Sequence, residues 1–447
     1  MTSLLIDQST DQSTDRSTDR STGQTAVRPI SIMELLYRKL VLRELAAMQR
    51  GLLTMEMPDG SRVRFGAERA PQAPHQGIAS MVIRDERFFR RCVLFGDIGF
   101  AESYLAGEWT TGNLEAVIVW FILNARESPS QSAGRRGGAT NALQIANRLR
   151  HRLRGNTRSG SRRNIEAHYD LSNEFFALFL DESMTYSAAL FDQQEQTLES
   201  AQIAKYDRLC RRLHLQPGDR VLEIGGGWGA FSRYAASQYG CHVTSLTISP
   251  AQYEHAAREI SRAGLESRID LQLRDYREVT GQFDKIVSIE MLEAVGHEHL
   301  PAFFRKCNEL LTPSGVLGLQ YITCPDNRYE RLRRGVDFIQ KHIFPGSLIL
   351  SIGAVGDAIR ATGDLVLHHL DDLGSSYART LHVWHERFNQ NLAQVRELGF
   401  DEPFIRKWNY YLQYCSGAFA MRHTSVVQAV YSRPNNLTLP VGAPWEL

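Results

Sequence analysis

The sequence predicts an α/β protein, a doubly wound and mostly parallel sheet preceded by a smaller α+β unit. Three observations predict it. Short apolar runs alternate with helical stretches through the second half of the chain, the pattern of βαβ units. One run, Arg220-Val221-Leu222-Glu223-Ile224, breaks into Gly225-Gly226-Gly227-Trp228-Gly229, and a helix opens at once with Ala230-Phe231. Several polar residues fall just past strand ends, where open α/β sheets bind ligands: Thr247 to Gln252, Asp275, Glu293 and Gln320.

Taken in order, residues 1 to 28 read as a disordered tail. Residues 7 to 22 repeat Asp-Gln-Ser-Thr and then Asp-Arg-Ser-Thr, too polar to offset the entropy of ordering. Residues 29 to 125 form the small α+β unit. Met33, Leu36, Leu40, Val41 and Leu45 have the spacing of one apolar helix face. Leu53 to Met57 and Arg62 to Gly66 flank Pro58-Asp59-Gly60 as a hairpin, and Gly99 to Leu105 reads as a helix.

Residues 126 to 163 hold ten arginines against the single acid Glu127 and form a basic linker. Within it, Leu143 to Arg154 has the pattern of a basic amphipathic helix. It suits an anionic membrane surface, or equally a solvated spacer. It has no aromatic side chains on which bases could stack. Residues 164 to 435 form the main α/β domain, with strands expected at Arg220 to Ile224, His242 to Leu246, Ile269 to Leu273, Phe283 to Ile289 and Val316 to Ile322. Residues 436 to 447 form a C-terminal tail.

Composition narrows the classes. Fifty-one basic residues balance 50 acidic ones, so no global charge calls for nucleic acid. The six cysteines are scattered without a C-x-x-C pair, which points away from zinc and toward a reduced, cytoplasmic setting. No metal-ligand spacing occurs among the histidines, and no apolar run reaches the roughly 18 residues of a membrane span.

The glycine loop carries the chemistry. Glycines let the backbone turn sharply and let a flat ligand approach. An acid at the strand end, Glu223, can accept hydrogen bonds from a ribose. The spacing Gly225-x-Gly227-x-Gly229 differs from the dinucleotide G-x-G-x-x-G, and no phosphate-cradling P-loop occurs. S-adenosylmethionine, with a ribose and a cationic end, suits such a loop, although a purely structural turn has the same composition.

Two further segments add to it: His168-Tyr169-Asp170-Leu171-Ser172-Asn173-Glu174-Phe175-Phe176 with Met184-Thr185-Tyr186-Ser187, and Ile343-Phe344-Pro345-Gly346. With the glycine loop and Leu246-Thr247-Ile248-Ser249-Pro250-Ala251-Gln252, they resemble the cyclopropane-fatty-acyl-phospholipid synthase and mycolic acid methyltransferase family over roughly residues 160 to 435. The resemblance implies a class I methyltransferase domain with a helical lid. It implies transfer of a one-carbon unit from S-adenosylmethionine to a cis double bond in a phospholipid acyl chain, normally closing a cyclopropane ring. It further implies a peripheral enzyme at the inner face of the cell membrane, and leaves monomer and homodimer open.

Carried over residue by residue, the resemblance assigns Tyr186, Ser187, the stretch Val221-Leu222-Glu223-Ile224-Gly225-Gly226-Gly227-Trp228-Gly229, Thr247, Ile248, Ser249, Pro250, Ala251, Gln252, Asp275 and Tyr276 to the cofactor. It assigns Glu293 and Tyr377 to a bound bicarbonate that serves as base, with the backbone of Ile322, and makes Cys415 an active-site residue. Two positions depart. Ala188 stands where the family has a cysteine, and Gln320 where it has a titratable histidine. These leave two other outcomes open: a non-cyclising methyltransferase making methyl- or methylene-branched chains, and an inactive lipid-binding homologue. Cys415, with no histidine or lysine beside it in sequence, reads as a pocket-lining residue that does not attack.

Overall fold

A computed structural model describes residues 31–66, 78–125 and 171–439. The expected tail 1–28, the basic linker with its helix, His168-Tyr169-Asp170 and residues 440–447 lie outside the described residues.

The first unit contains helix Ile32–Ala46, strands β1 (Leu52–Glu56), β2 (Arg62–Gly66) and β3 (Ile78–Ile83), helix Arg87–Leu105, strand β4 (Trp109–Thr110) and helix Leu114–Leu123. Its sheet runs β2-β1-β3-β4, with β1 and β2 forming the hairpin that Pro58-Asp59-Gly60 predicts. Strand alternation works as expected: Leu53 and Met55 point into the core while their neighbours are half-buried. The first helix forms, but its expected apolar face is wrong. Met33, Leu36 and Leu40 are exposed; Leu45 alone is buried, and Tyr37, Val41 and Leu42 pack half-buried on the core. The helix docks through the face centred on those residues, because helix Arg87–Leu105 lies there.

The second sheet is built from β5 (Arg220–Ile224), β6 (His242–Thr247), β7 (Ile269–Leu273), β8 (Phe283–Ile289), β9 (Leu311–Thr323), β10 (Val366–Asp372) and β11 (Ser425–Ser432). The order is β10-β11-β9-β8-β5-β6-β7. The β5 to β9 ladders are parallel, and β11 runs antiparallel to both of its neighbours. Chain order reverses at β5, which has β6 on one side and β8 on the other, and a crevice opens where the connections leave in opposite directions.

Aromatic side chains join the two units. One core contains Leu53, Phe89 and Trp120 of the first unit together with Phe175, Trp384, Trp408 and Tyr411 of the second. The helices Gly374–Gln390 and Glu402–Ala420 supply most of the second set. They lie over the carboxyl edge of the sheet and form one wall of the site described next.

Candidate active site

The next-to-last residue of strand β5 is Glu223, whose carboxylate is 3% exposed and accepts a 2.5 Å bond from Ser245 Oγ on β6. Burial pushes this carboxyl up to about 7. The chain then turns at Gly225, φ +85°, and the amides of Gly225 and Gly226 donate to the Leu246 carbonyl. A Cβ on Gly226 would lie 2.1 Å from Ser245 Oγ and 2.9 Å from Glu223 Oε2; glycine is required here by contact. Trp228 Nε1 donates to Asn173 Oδ1 at 2.8 Å, tying the loop to helix Asn173–Ala177. Across the crevice, Thr247 Oγ1 donates to Gln252 Oε1, and Asp275 is held by Arg277 at 2.6 and 2.8 Å. Acceptors for a diol thus stand beside a glycine floor, and Tyr186 closes the far end, packed on Phe176 and Trp384. An aromatic face there suits a sulfonium.

The crevice continues into a cavity of about 380 Å³ in all, walled by Ile339, Phe344, Leu381, Tyr411, Cys415 and Phe419. That size is in the range of sites for ligands of this kind. Two carboxylates reach it from the end of β8. Glu290 adopts φ +48°, a backbone region that residues other than glycine seldom use. Its Oε1 accepts from the Ala188 amide at 2.8 Å and Gln320 Nε2 at 2.7 Å, and its Oε2 from the Tyr377 hydroxyl at 2.8 Å. Gln428 Nε2 donates in turn to Gln320 Oε1. The buried Lys205 donates from Nζ to Ser187 Oγ at 2.7 Å, one residue before Ala188, and its charge favours an ionised Glu290.

Glu293 is held differently. Its Oε1 accepts from the Ile322 amide at 2.5 Å, while Oε2 is buried without a hydrogen-bond partner among the described residues. Burial, reinforced by the charge of Glu290, pushes it up to about 8. Burial also lowers Lys205 to about 7 and raises Tyr377 well above the usual phenol range. Burial raises the Glu290 carboxyl too, opposed by the Ala188, Gln320 and Tyr377 donors and by Lys205; with three donors against one, Glu290 is the better held of the two as a carboxylate.

The cavity gathers Tyr186, Ser187, Glu223, Ile224, Gly225, Gly226, Gly227, Trp228, Thr247, Ile248, Gln252, Asp275, Tyr276, Glu293, Tyr377 and Cys415 from the candidates. Seven other candidates do not line it. Val221 and Leu222 are fully buried in the sheet. Gly229, in the left-handed region, starts helix Ala230–Tyr239 against Ala256. Ser249 caps helix Pro250–Arg262, Pro250 is in its first turn, and Ala251 faces outward. Gln320 does not line the cavity and reaches it through Glu290. Tyr377, expected with Glu293 around a bound bicarbonate, donates to Glu290. Ala188, noted for its missing side-chain donor, donates through its main chain. Burial pushes the Cys415 thiol up and away from the thiolate form. Glu290 is the residue that the sequence reading missed. The available signal was a second acid at a strand end, three residues before Glu293.

Among solved structures, the chain is similar to the cyclopropane synthase MmaA2 from Mycobacterium tuberculosis (TM-score 0.57, 33% identity, 61% of this chain and 98% of that one). It is equally similar to the mycolic acid cyclopropane synthase CmaA1 complexed with SAH and CTAB (TM-score 0.57, 33% identity, with the same coverage). The fold and the glycine-floored crevice define an S-adenosylmethionine-dependent methyltransferase that modifies lipid acyl chains. The family model for mycolic acid cyclopropane synthetase matches residues 156–429, and the chain belongs to that family. Relatives include the tuberculostearic acid methyltransferase UfaA1 of Mycobacterium tuberculosis, 37% identical over 383 residues, 84% of this chain and 86% of that protein. The cyclopropane-fatty-acyl-phospholipid synthase of Escherichia coli K12 is 33% identical over 362 residues, 79% and 88% respectively.

Proposed function

We propose that this protein methylates the cis double bond of an unsaturated phospholipid acyl chain, with Glu290 as the base. The observation that carries the reading is the Glu290 carboxylate, held by three donors on the wall of an aromatic cavity continuous with the cofactor crevice. The alkene π pair forms the new carbon–carbon bond to the methyl while the carbon–sulfur bond breaks, leaving a neutral thioether. The positive charge passes to the neighbouring alkene carbon, where Tyr186, Phe344 and Tyr411 offer ring faces. A methyl C–H proton goes to Glu290 and its electron pair closes the ring. An alkene is a poor nucleophile, so the step depends on dry, close alignment.

Bicarbonate does not fit these residues. The Ala188 amide, the Gln320 amide and the Tyr377 hydroxyl already serve Glu290, and a second anion would lie against that carboxylate. We infer that the protein's own carboxylate replaces it. A second product has its own support: Ala188 and Gln320 supply no titratable group at the base, and one relative is named a methyltransferase and not a cyclopropane synthase. There, a hydride shifts from the newly methylated carbon to the charged one before a methyl proton leaves, and the open chain carries a methylene branch. We propose that the reaction takes place at the cytoplasmic face of the membrane, where S-adenosylmethionine meets phospholipid. A glycine-floored crevice with its acceptors in place, together with a carboxylate held by three donors, argues against an inactive homologue. Lipid profiling after expression in a host lacking such enzymes tests the proposal. Ring or vinylidene protons in the NMR spectrum of the extracted lipids tell the two products apart, and unmodified acyl chains refute both.

A further inference from the structure

Helix Ile32–Ala46 presents an apolar face that none of the described residues covers. Ile32 (86% exposed), Met33 (53%), Leu35 (50%), Leu36 (46%) and Leu40 (40%) project from its first three turns. At 100° per residue these five share one arc of the helix with Lys39 and Arg43, both exposed, and no carboxylate falls within that arc. The face is preset. Ser31 and Glu34 close a capping box at the helix start, Arg38 pairs with Asp59 and Glu86 on the inner side, and Leu45 anchors the end in the core.

We infer that this helix lies on an anionic bilayer and brings the cavity to its lipid, an inference that rests on the phospholipid reading above. Large apolar side chains interleaved with cations and free of acids are the composition of an interfacial helix. Apolar groups enter the acyl boundary while the two cations meet lipid phosphates. A second copy of the same face fits less well, because a symmetric pairing would bring Lys39 and Arg43 of both copies together.

The test uses the full chain and two double variants, L36D/L40D and K39E/R43E. Sedimentation with unsaturated phosphatidylcholine vesicles, with and without phosphatidylglycerol, reads binding; light scattering reads oligomeric state. The expected result is that each variant loses about tenfold or more in affinity for the anionic vesicles. Turnover on vesicles should fall in parallel, while turnover on the same lipid in detergent micelles stays within about twofold. A variant that sediments like the unaltered chain overturns the inference, as does one that only loses a dimer. Absence of micellar turnover in the unaltered chain would instead sink the proposed reaction, and sedimentation would still decide the surface.

Discussion

Glu290→Gln isolates the base. The amide is nearly isosteric with the carboxylate. Its oxygen can keep the bonds from Ala188 N and Gln320 Nε2, and its nitrogen can donate to Tyr377, whose hydroxyl oxygen also accepts. The scaffold should therefore survive, and S-adenosylmethionine should bind within about threefold, since Glu290 lies beyond the glycine floor. What disappears is the proton acceptor. General-base catalysis contributes about 10²- to 10⁴-fold, so kcat should drop by that factor, equivalent to roughly 3 to 5 kcal/mol of barrier. The assay is release of S-adenosylhomocysteine from unsaturated phospholipid, with calorimetry for cofactor binding. A companion variant, Glu290→Gly, relieves the φ of +48° and vacates the carboxylate's space. Added formate or bicarbonate should then restore part of the rate, while the unaltered enzyme should ignore both. A Glu290→Gln enzyme that turns over at the normal rate, or an unaltered enzyme that stalls when bicarbonate is removed, would refute the assignment.

Glu293→Gln should keep cofactor binding and lose less turnover than Glu290→Gln. It should also stabilise the fold. With its folded pKa raised to about 8 from 4.5, the native state holds this proton more tightly than the unfolded chain. Native stability therefore falls as pH rises through that window, and the variant should gain at least about 1 kcal/mol over the parent at pH 8 in urea melts. Cofactor affinity should rise with pH around 7, because Glu223, raised to about 7, accepts ribose hydroxyls best when ionised; calorimetry on Glu223→Gln should give a flat profile. Gly226→Ala, which drives a methyl into Ser245 and Glu223, should weaken cofactor binding by about tenfold or more. Cys415→Ser should leave kcat within about threefold, and a larger loss would give that thiol a chemical role.

Much of the fold could be read locally. The central strands at 220–224 and 283–289 lie where their apolar runs place them, because buried parallel strands need hydrophobic residues, and the edge strand 269–273 follows from the alternation of Ile269, Leu271 and Leu273. Strands β10 and β11 went unread. In β10, Val366 and Leu367 are followed by His368, His369 and two aspartates, and most of the strand is exposed or half-buried. It is a strand because it pairs with β11, which no local signal announces. The first helix shows the same limit from the other side. Its spacing correctly gave a helix, but only the position of helix Arg87–Leu105 decides which face is covered.

The amino-acid sequence by itself determined the class: the glycine loop after β5, with the segments 168–176, 184–187, 246–252 and 343–346, consists of local devices, each written in a few consecutive residues. Tertiary structure alone decided which acid stands with Tyr377. The donors to Glu290 come from residues 102, 30 and 87 positions away, and two carboxylates three residues apart are alike until folding gives one of them three donors and leaves the other half-satisfied. Burial turns that difference in hydrogen bonding into a difference in how readily each ionises, since a carboxylate removed from water stays ionised only where enough donors replace the water.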